Sequence, residues 1–138
     1  MSGIYLHIPF CKQACSYCDF HFSTSLRRKG EMLSAMKKEI EIRKEELKSP
    51  VKSIYLGGGT PSLLHPEEME DLFSHISDHF VIEPGAEITL EVNPDDLDRE
   101  RLMRWAQSPV NRLSIGIQSF VDEDLKFMNR AHDRKQAL

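Results

Sequence analysis

The residues best placed for chemistry are Cys11, Cys15 and Cys18, which are all the chain's cysteines and fall within eight consecutive positions. An odd, tightly clustered set makes a poor disulfide framework. Thiolates this close are better suited to a metal or a cluster. A four-iron cube takes one thiolate at each ligated corner, and a compact loop can wrap three of them, leaving the fourth iron open to a substrate. The same sulfurs could complete a Cys₃His zinc site with His7 or His21, or stay free thiols. Spacing alone favours the cluster.

Three further features carry polar chemistry. Gly57-Gly58-Gly59-Thr60-Pro61 directly follows an apolar run. Without Cβ atoms a ligand can approach this backbone and use its N–H and C=O groups. No Lys-Ser/Thr pair follows, so it is not a phosphate loop. Glu91 precedes Asn93 near the end of a strand-like run; a carboxylate there needs a partner, either a ligand hydroxyl or ammonium or an internal cation such as Arg112 or Arg130. Gln118 both donates and accepts, as ribose recognition requires, or it simply faces water. His7 is as readily an ordinary satisfied histidine as a contact residue, and His65, His75 and His79 read as surface residues of a charged helix.

The elements that must position these groups alternate. Ile4–Ile8, Val51–Leu56, Ala86–Asn93 and Arg112–Gln118 read as strands, and Glu83-Pro84-Gly85 reads as a turn. Helical patterns cover about Leu26–Lys48, Pro66–Phe80 and Asp98–Gln107, with a short helix opening at Asp122 and another beginning before Leu138. Strand–helix alternation implies an α/β fold with about four parallel strands and outer helices. Ile4, Leu6, Ile8, Ile54, Leu56, Ile88, Leu90, Val92, Leu113, Ile115 and Ile117 form the face under the helices. The opposite face holds Tyr5, His7, Tyr55, Gly57, Glu87, Thr89, Glu91, Asn93, Ser114, Gly116 and Gln118. Parallel strands covered on both faces read as continuous apolar runs, and these do not. The second face is therefore either wet or the lumen of a partly open (β/α) barrel that holds a polar ligand at the strands' carboxyl ends.

Composition sets the outer bounds. The chain has 138 residues, 40% hydrophobic and 29% charged, which suits one soluble globular unit. A net charge of -4 argues against a general nucleic-acid binder. No apolar run nears the ~20 residues of a membrane span, and no leader pattern precedes the first strand, so the expected compartment is the cytoplasm.

The CxxxCxYC loop of Cys11–Cys18 followed by Gly-Gly-Gly-Thr-Pro resembles the radical S-adenosylmethionine (SAM) superfamily. Tyr5-Leu6-His7-Ile8-Pro9-Phe10-Cys11, Glu91-Val92-Asn93-Pro94, Ser114-Ile115-Gly116-Ile117-Gln118-Ser119-Phe120 and Asn129-Arg130-Ala131-His132 narrow the resemblance. They point to the group of oxygen-independent coproporphyrinogen III oxidases and related heme chaperones. The resemblance spans residues 1–138 and implies the amino-terminal part of a partial TIM-like barrel, with later strands and a further domain absent. It implies that Cys11, Cys15 and Cys18 ligate a 4Fe–4S cluster whose open iron chelates SAM. Tyr5 and Tyr17 would flank cluster and SAM; Gly58, Gly59 and Thr60 would line the methionine end; Glu91, Gln118 and Arg130 would meet SAM's polar groups. The oxidases carry another cysteine two positions after the third ligand and an extension before the first strand; here Asp19-Phe20 follows Cys18. Both departures favour the chaperone branch, which implies binding heme through a segment past Leu138 and delivering it to an acceptor protein. An electron donor is also implied. Porphyrinogen oxidation and, more remotely, a zinc-stabilised α/β module are the alternatives. A sheet cut short after four strands is expected to self-associate.

Overall fold

The computed structural model describes residues 2–138. Its elements are β1 (Ser2–Ile8), α1 (Lys29–Arg43), β2 (Val51–Gly58), α2 (Pro66–His79), β3 (Ile82–Val92), α3 (Arg99–Gln107), β4 (Arg112–Ile115), α4 (Asp122–Phe127) and α5 (Arg134–Ala137). The four strands form one parallel sheet in the order β1-β2-β3-β4, as the alternation requires.

Register explains why the two faces differ. Leu6, Leu56, Leu90 and Leu113 stand in one row across the sheet, and Tyr5, Tyr55, Thr89 and Arg112 stand in the next. Successive side chains on a strand point to opposite faces, so the first row packs beneath the helices while the second lines the other side. The core gathers Ile8, Ile54, Leu56, Ile88, Leu90 and Val92 from the sheet with Leu33, Met36 and Ile40 of α1. Met69, Leu72, Phe73 and Ile76 of α2 and Trp105 of α3 complete it. The spacing of the buried residues places an apolar stripe on α1 and on α2, while α3 contributes Trp105 alone.

Helix ends follow local chemistry. Pro66 opens α2 where its missing N–H costs nothing, and Glu68 accepts from the His65 amide at 2.7 Å. Asp98 caps α3 by accepting from the Arg101 amide at 2.8 Å.

Four expectations are corrected. Glu83-Pro84-Gly85 is not a turn but lies inside β3. There β3 passes from Ile82 opposite Val51 to Glu87 opposite Ser53, so the extra residues loop out as a bulge with Gly85 at φ +81°. Proline and glycine fit a strand at such a bulge because its ladder is already interrupted. The fourth strand stops at Ile115, three residues short of Gln118. After the Gly116 amide bonds Val92 O at 2.9 Å, the chain curls so that Ile117 N reaches Ile115 O and Ser119 N reaches Ile117 O. Ile115, expected under a helix, is 44% exposed, whereas Leu113 of the same strand packs against the core. Helix α1 is also shorter than its charge pattern suggested, and single 3-10 turns form at Pro61–Leu63 and Pro94–Asp96.

Among the described residues no helix is long and apolar enough to cross a membrane. Truncating the fully buried Leu90 to alanine is expected to cost about 2–5 kcal/mol, read as a lower urea midpoint at unchanged slope. Among the described residues β4 has a free edge, Ile115 on it is exposed, and Phe120, Val121 and Phe127 further along the chain are exposed as well. Sedimentation velocity over a hundredfold dilution should therefore show concentration-dependent association; a constant monomer would contradict it.

Candidate functional site

The strands' carboxyl ends and the segment after β1 enclose a cavity of about 590 Å³. Cys11, Cys15 and Cys18 form one wall, with Tyr17 beside them. Gly58, Gly59 and Thr60 supply the end of β2, Glu91 and Asn93 the end of β3, and Gly116, Gln118 and Arg130 the wall beyond β4. Of the residues expected to bind SAM or the cluster, all but Tyr5 line this one space.

The cysteine loop is held on three sides. The Gly59 amide donates to Ile8 O at 2.8 Å and the Thr60 amide to Phe10 O at 2.7 Å, fastening it to the glycine segment. Cys11 N bonds Ser23 O at 3.0 Å and Ser23 N bonds Pro9 O at 2.8 Å, closing the loop on itself. Ser16 donates to Met128 O and Phe127 O, and Asn129 donates to Ala14 O at 2.6 Å, which ties the far end of the chain to the loop. Lys12 forms ion pairs with Asp95, at 2.9 Å, and with Asp96. Burial works against the Lys12 charge, yet the hydrogen bonds it donates to Asp96 and Asp95 carry its pKa above the usual lysine value.

Gly59 shows why glycine is required here. A Cβ at this position would lie 2.6 Å from Phe10 O and 2.9 Å from Cys11 Sγ. Any side chain would push the cysteine loop off the end of β2.

The sulfurs themselves test which metal group fits. They do not all lie within 4.8 Å of one another, and among the described residues no histidine joins two of them inside that distance. Zinc bonds of ~2.3 Å in a tetrahedron would bring thiolates to about 3.8 Å. The wider spread suits separate corners of a cluster better than a single ion. Burial pushes the Cys11 thiol up, opposed by its bond with Thr60, so a bound cation's charge is what would favour its thiolate.

Glu91 is satisfied by neither arginine proposed for it. It accepts from the Tyr55 hydroxyl at 2.6 Å and from the Gly58 amide at 3.2 Å. Arg112 instead approaches Glu87 at 3.4 Å. Arg130 donates to Asn93 Oδ1 at 2.6 Å and to Gly116 O at 2.7 Å, with Cys15 Sγ and the Tyr17 hydroxyl each at 3.4 Å from its other terminal nitrogen. It thus bridges β3, the segment after β4 and the cysteine loop. Gln118 is exposed at the rim with φ +69°. Tyr5 is 57% exposed and stands outside the cavity lining, where its hydroxyl meets His7 Nδ1 at 2.9 Å and its ring lies 6.0 Å from that of Tyr55.

Tyr55, Asn93, Lys12 and Asp96 are structural partners that motif reading did not single out as site residues. Tyr55 was legible only as a residue of the polar face; its register opposite Tyr5 comes from the sheet. Asp96 was not, because its burial and its bond from Ser62 Oγ at 2.7 Å depend on a 3-10 turn.

The chain has three tyrosines, and all three phenols are held above the ordinary value. Burial and then the Glu91 charge raise Tyr5, burial raises Tyr17 against the pull of Arg130, and the hydrogen bond to Glu91 followed by burial raises Tyr55. The folded state therefore keeps these protons longer than the unfolded chain does. The stabilisation is present below pH ~10 and lost as pH rises through the native pKa values. Ultraviolet titration of phenolate absorbance should show native midpoints above the unfolded midpoint. Glu91→Gln should lower those of Tyr55 and Tyr5 and leave Tyr17 in place.

Comparison with known proteins agrees with this geometry. The sequence model of the radical SAM superfamily matches residues 5–138. The chain is 37% identical over 140 residues to the heme chaperone HemW of Mycobacterium tuberculosis (strain H37Rv), covering 98% of this chain and 36% of that protein. It is 36% identical over 143 residues to the heme chaperone HemW of Bacillus subtilis, covering 100% of this chain and 37% of that one. It therefore spans about a third of the length of these curated relatives. Among solved structures, the coproporphyrinogen III oxidase HemN of Escherichia coli, described as a radical SAM enzyme, superposes with a TM-score of 0.87. That match has 30% identity and covers 99% of this chain and 32% of the other. With the family pattern running through nearly every residue and the cysteine loop, glycine segment and strand ends meeting in one cavity, this chain belongs to the radical SAM superfamily.

Proposed function

We propose that this chain is the cluster- and SAM-binding part of a HemW-like heme chaperone. The observation that carries the reading is the three-cysteine wall facing glycine backbone and strand-end polar groups across a single cavity. Cys11, Cys15 and Cys18 would hold a 4Fe–4S cluster, which when bound supplies one-electron chemistry toward a sulfonium nucleotide.

The chain's own residues orient and confine. Gly58, Gly59 and Thr60 present backbone to the methionine end of SAM. Glu91, its Oε1 already engaged by Tyr55, keeps acceptor capacity on its carboxylate for an ammonium or hydroxyl. Gln118 stands at the rim to donate and accept. Arg130 holds Asn93 and the segment after β4 against the cysteine loop, so it sets the width of the cavity more than it offers a free charge. Tyr17 beside Cys15 shields the cluster side. Tyr5 acts at one remove, through His7 and the ring of Tyr55.

Heme binding and its delivery to an acceptor protein are proposed for a protein of the relatives' full length, working in the cytoplasm with an external electron donor. Asp19-Phe20 after Cys18 and the HemW relatives support this branch. The close superposition on an oxidase supports porphyrinogen oxidation as the second reading.

Anaerobic reconstitution with iron and sulfide, followed by reduction, should give an electron paramagnetic resonance signal that SAM perturbs. Cys15→Ala should abolish it. A colourless protein carrying stoichiometric zinc and indifferent to SAM would defeat the proposal. Heme-binding and decarboxylation assays of the longer protein separate the two branches.

A further inference from the structure

Helices α1 and α2 pack side by side, and their facing surfaces bring together Glu41, His75 and His79. One ligand atom from each lies within 4.8 Å of the other two, and this is the only such compact group among the described residues. We propose that these three residues form a binding site for a divalent transition-metal ion, zinc by its ligand chemistry, that clamps α1 to α2. The site is independent of the cysteine cavity. Helices that connect parallel strands run antiparallel to them, so the late turns holding Glu41, His75 and His79 lie toward the sheet's amino-terminal end, opposite the cysteine loop.

The donor geometry is close to what zinc uses. Glu41 Oε1 lies 3.6 Å from His75 Nε2. Zinc–nitrogen and zinc–oxygen bonds of ~2.0–2.2 Å in a tetrahedron place neighbouring donors about 3.4 Å apart. Positions 75 and 79 are one helical turn apart, and their rings lie 4.5 Å from centroid to centroid. The fourth coordination position is left to water.

Second contacts orient the ligands as they do in known metal sites. His79 Nδ1 meets the carbonyl of His75 at 2.8 Å; a carbonyl only accepts, so Nδ1 carries the proton and Nε2 keeps its lone pair for a metal. Lys38 donates to Glu41 Oε2 at 3.1 Å, which leaves Oε1 toward the imidazoles. The Lys38 hydrogen bond, aided by the neighbouring histidines, also holds the Glu41 carboxyl below its ordinary pKa. His75 Nε2 now meets Lys37 O at 3.0 Å. Metal binding would replace that contact, moving its proton to Nδ1. Lys37 itself is engaged by Asp71 at 2.6 Å across the same helix pair, so its charge is offset beside the site.

The test is equilibrium dialysis of the chain against zinc at pH 7.5; free thiolates can also take up added zinc, so only the difference between variants isolates this site. The wild type should hold one more zinc ion per chain than His79→Asn, with binding at this site weakened at least tenfold in the variant. Zinc added in stoichiometric steps should also shift the His75 and His79 imidazole resonances. Equal stoichiometry and affinity in the two proteins, or unmoved imidazole signals, would overturn the proposal. Should His79→Asn fail to fold by circular dichroism, Glu41→Gln decides: weakening of threefold or more supports the site, and unchanged affinity rejects it.

Discussion

The close backbone contact between the glycine segment after β2 and the cysteine loop after β1 is the constraint on which the rest of the site depends. Two amides of that segment, at Gly59 and Thr60, donate to Ile8 O and Phe10 O, and the approach leaves no room for a Cβ at Gly59. The contact fixes where the cysteines begin, and therefore which way their sulfurs face. Bonds from Ser16 and Asn129 to opposite partners then close the loop against the chain's later segments. Residues far apart in sequence meet because parallel strands deliver all their carboxyl ends to one side.

The polar face of the sheet has the same origin. Four strands in register put Leu6, Leu56, Leu90 and Leu113 on one side, leaving Tyr5, Tyr55, Thr89 and Arg112 to face away from the helices. Glu91 is stable there because it is hydrogen-bonded rather than because it is ion-paired: a phenol and a backbone amide meet it, and both arginines find other partners. This choice keeps a negative charge at the cavity while the one nearby guanidinium is used as a structural tie.

The opposite end of the molecule answers to different physics. There the outer helices meet through charged and aromatic side chains with partial solvent access, and their contribution to stability is small pair by pair. Histidines that a charged sequence context assigns to the surface are brought half inside by the packing of α1 against α2. Periodicity shows that a helix is amphipathic, but not which of its polar side chains will face a neighbouring helix.

What the sequence determined by itself is local or strictly periodic. The four strands, the proline start of α2, the Asp98 start of α3 and the polar face follow from alternation, proline and glycine placement and side-chain type, because these act within a few residues. The cysteine trio, the glycine run and the polar groups at strand ends were visible for the same reason. Only the tertiary structure decided the β3 bulge at Gly85, the early end of β4, the displacement of Tyr5 from the cavity and the pairing of Glu91 with Tyr55. Each depends on which neighbour lies across a sheet or beyond a turn. Distances of that kind are set by the closed geometry of the whole chain, and no spacing along it encodes them directly.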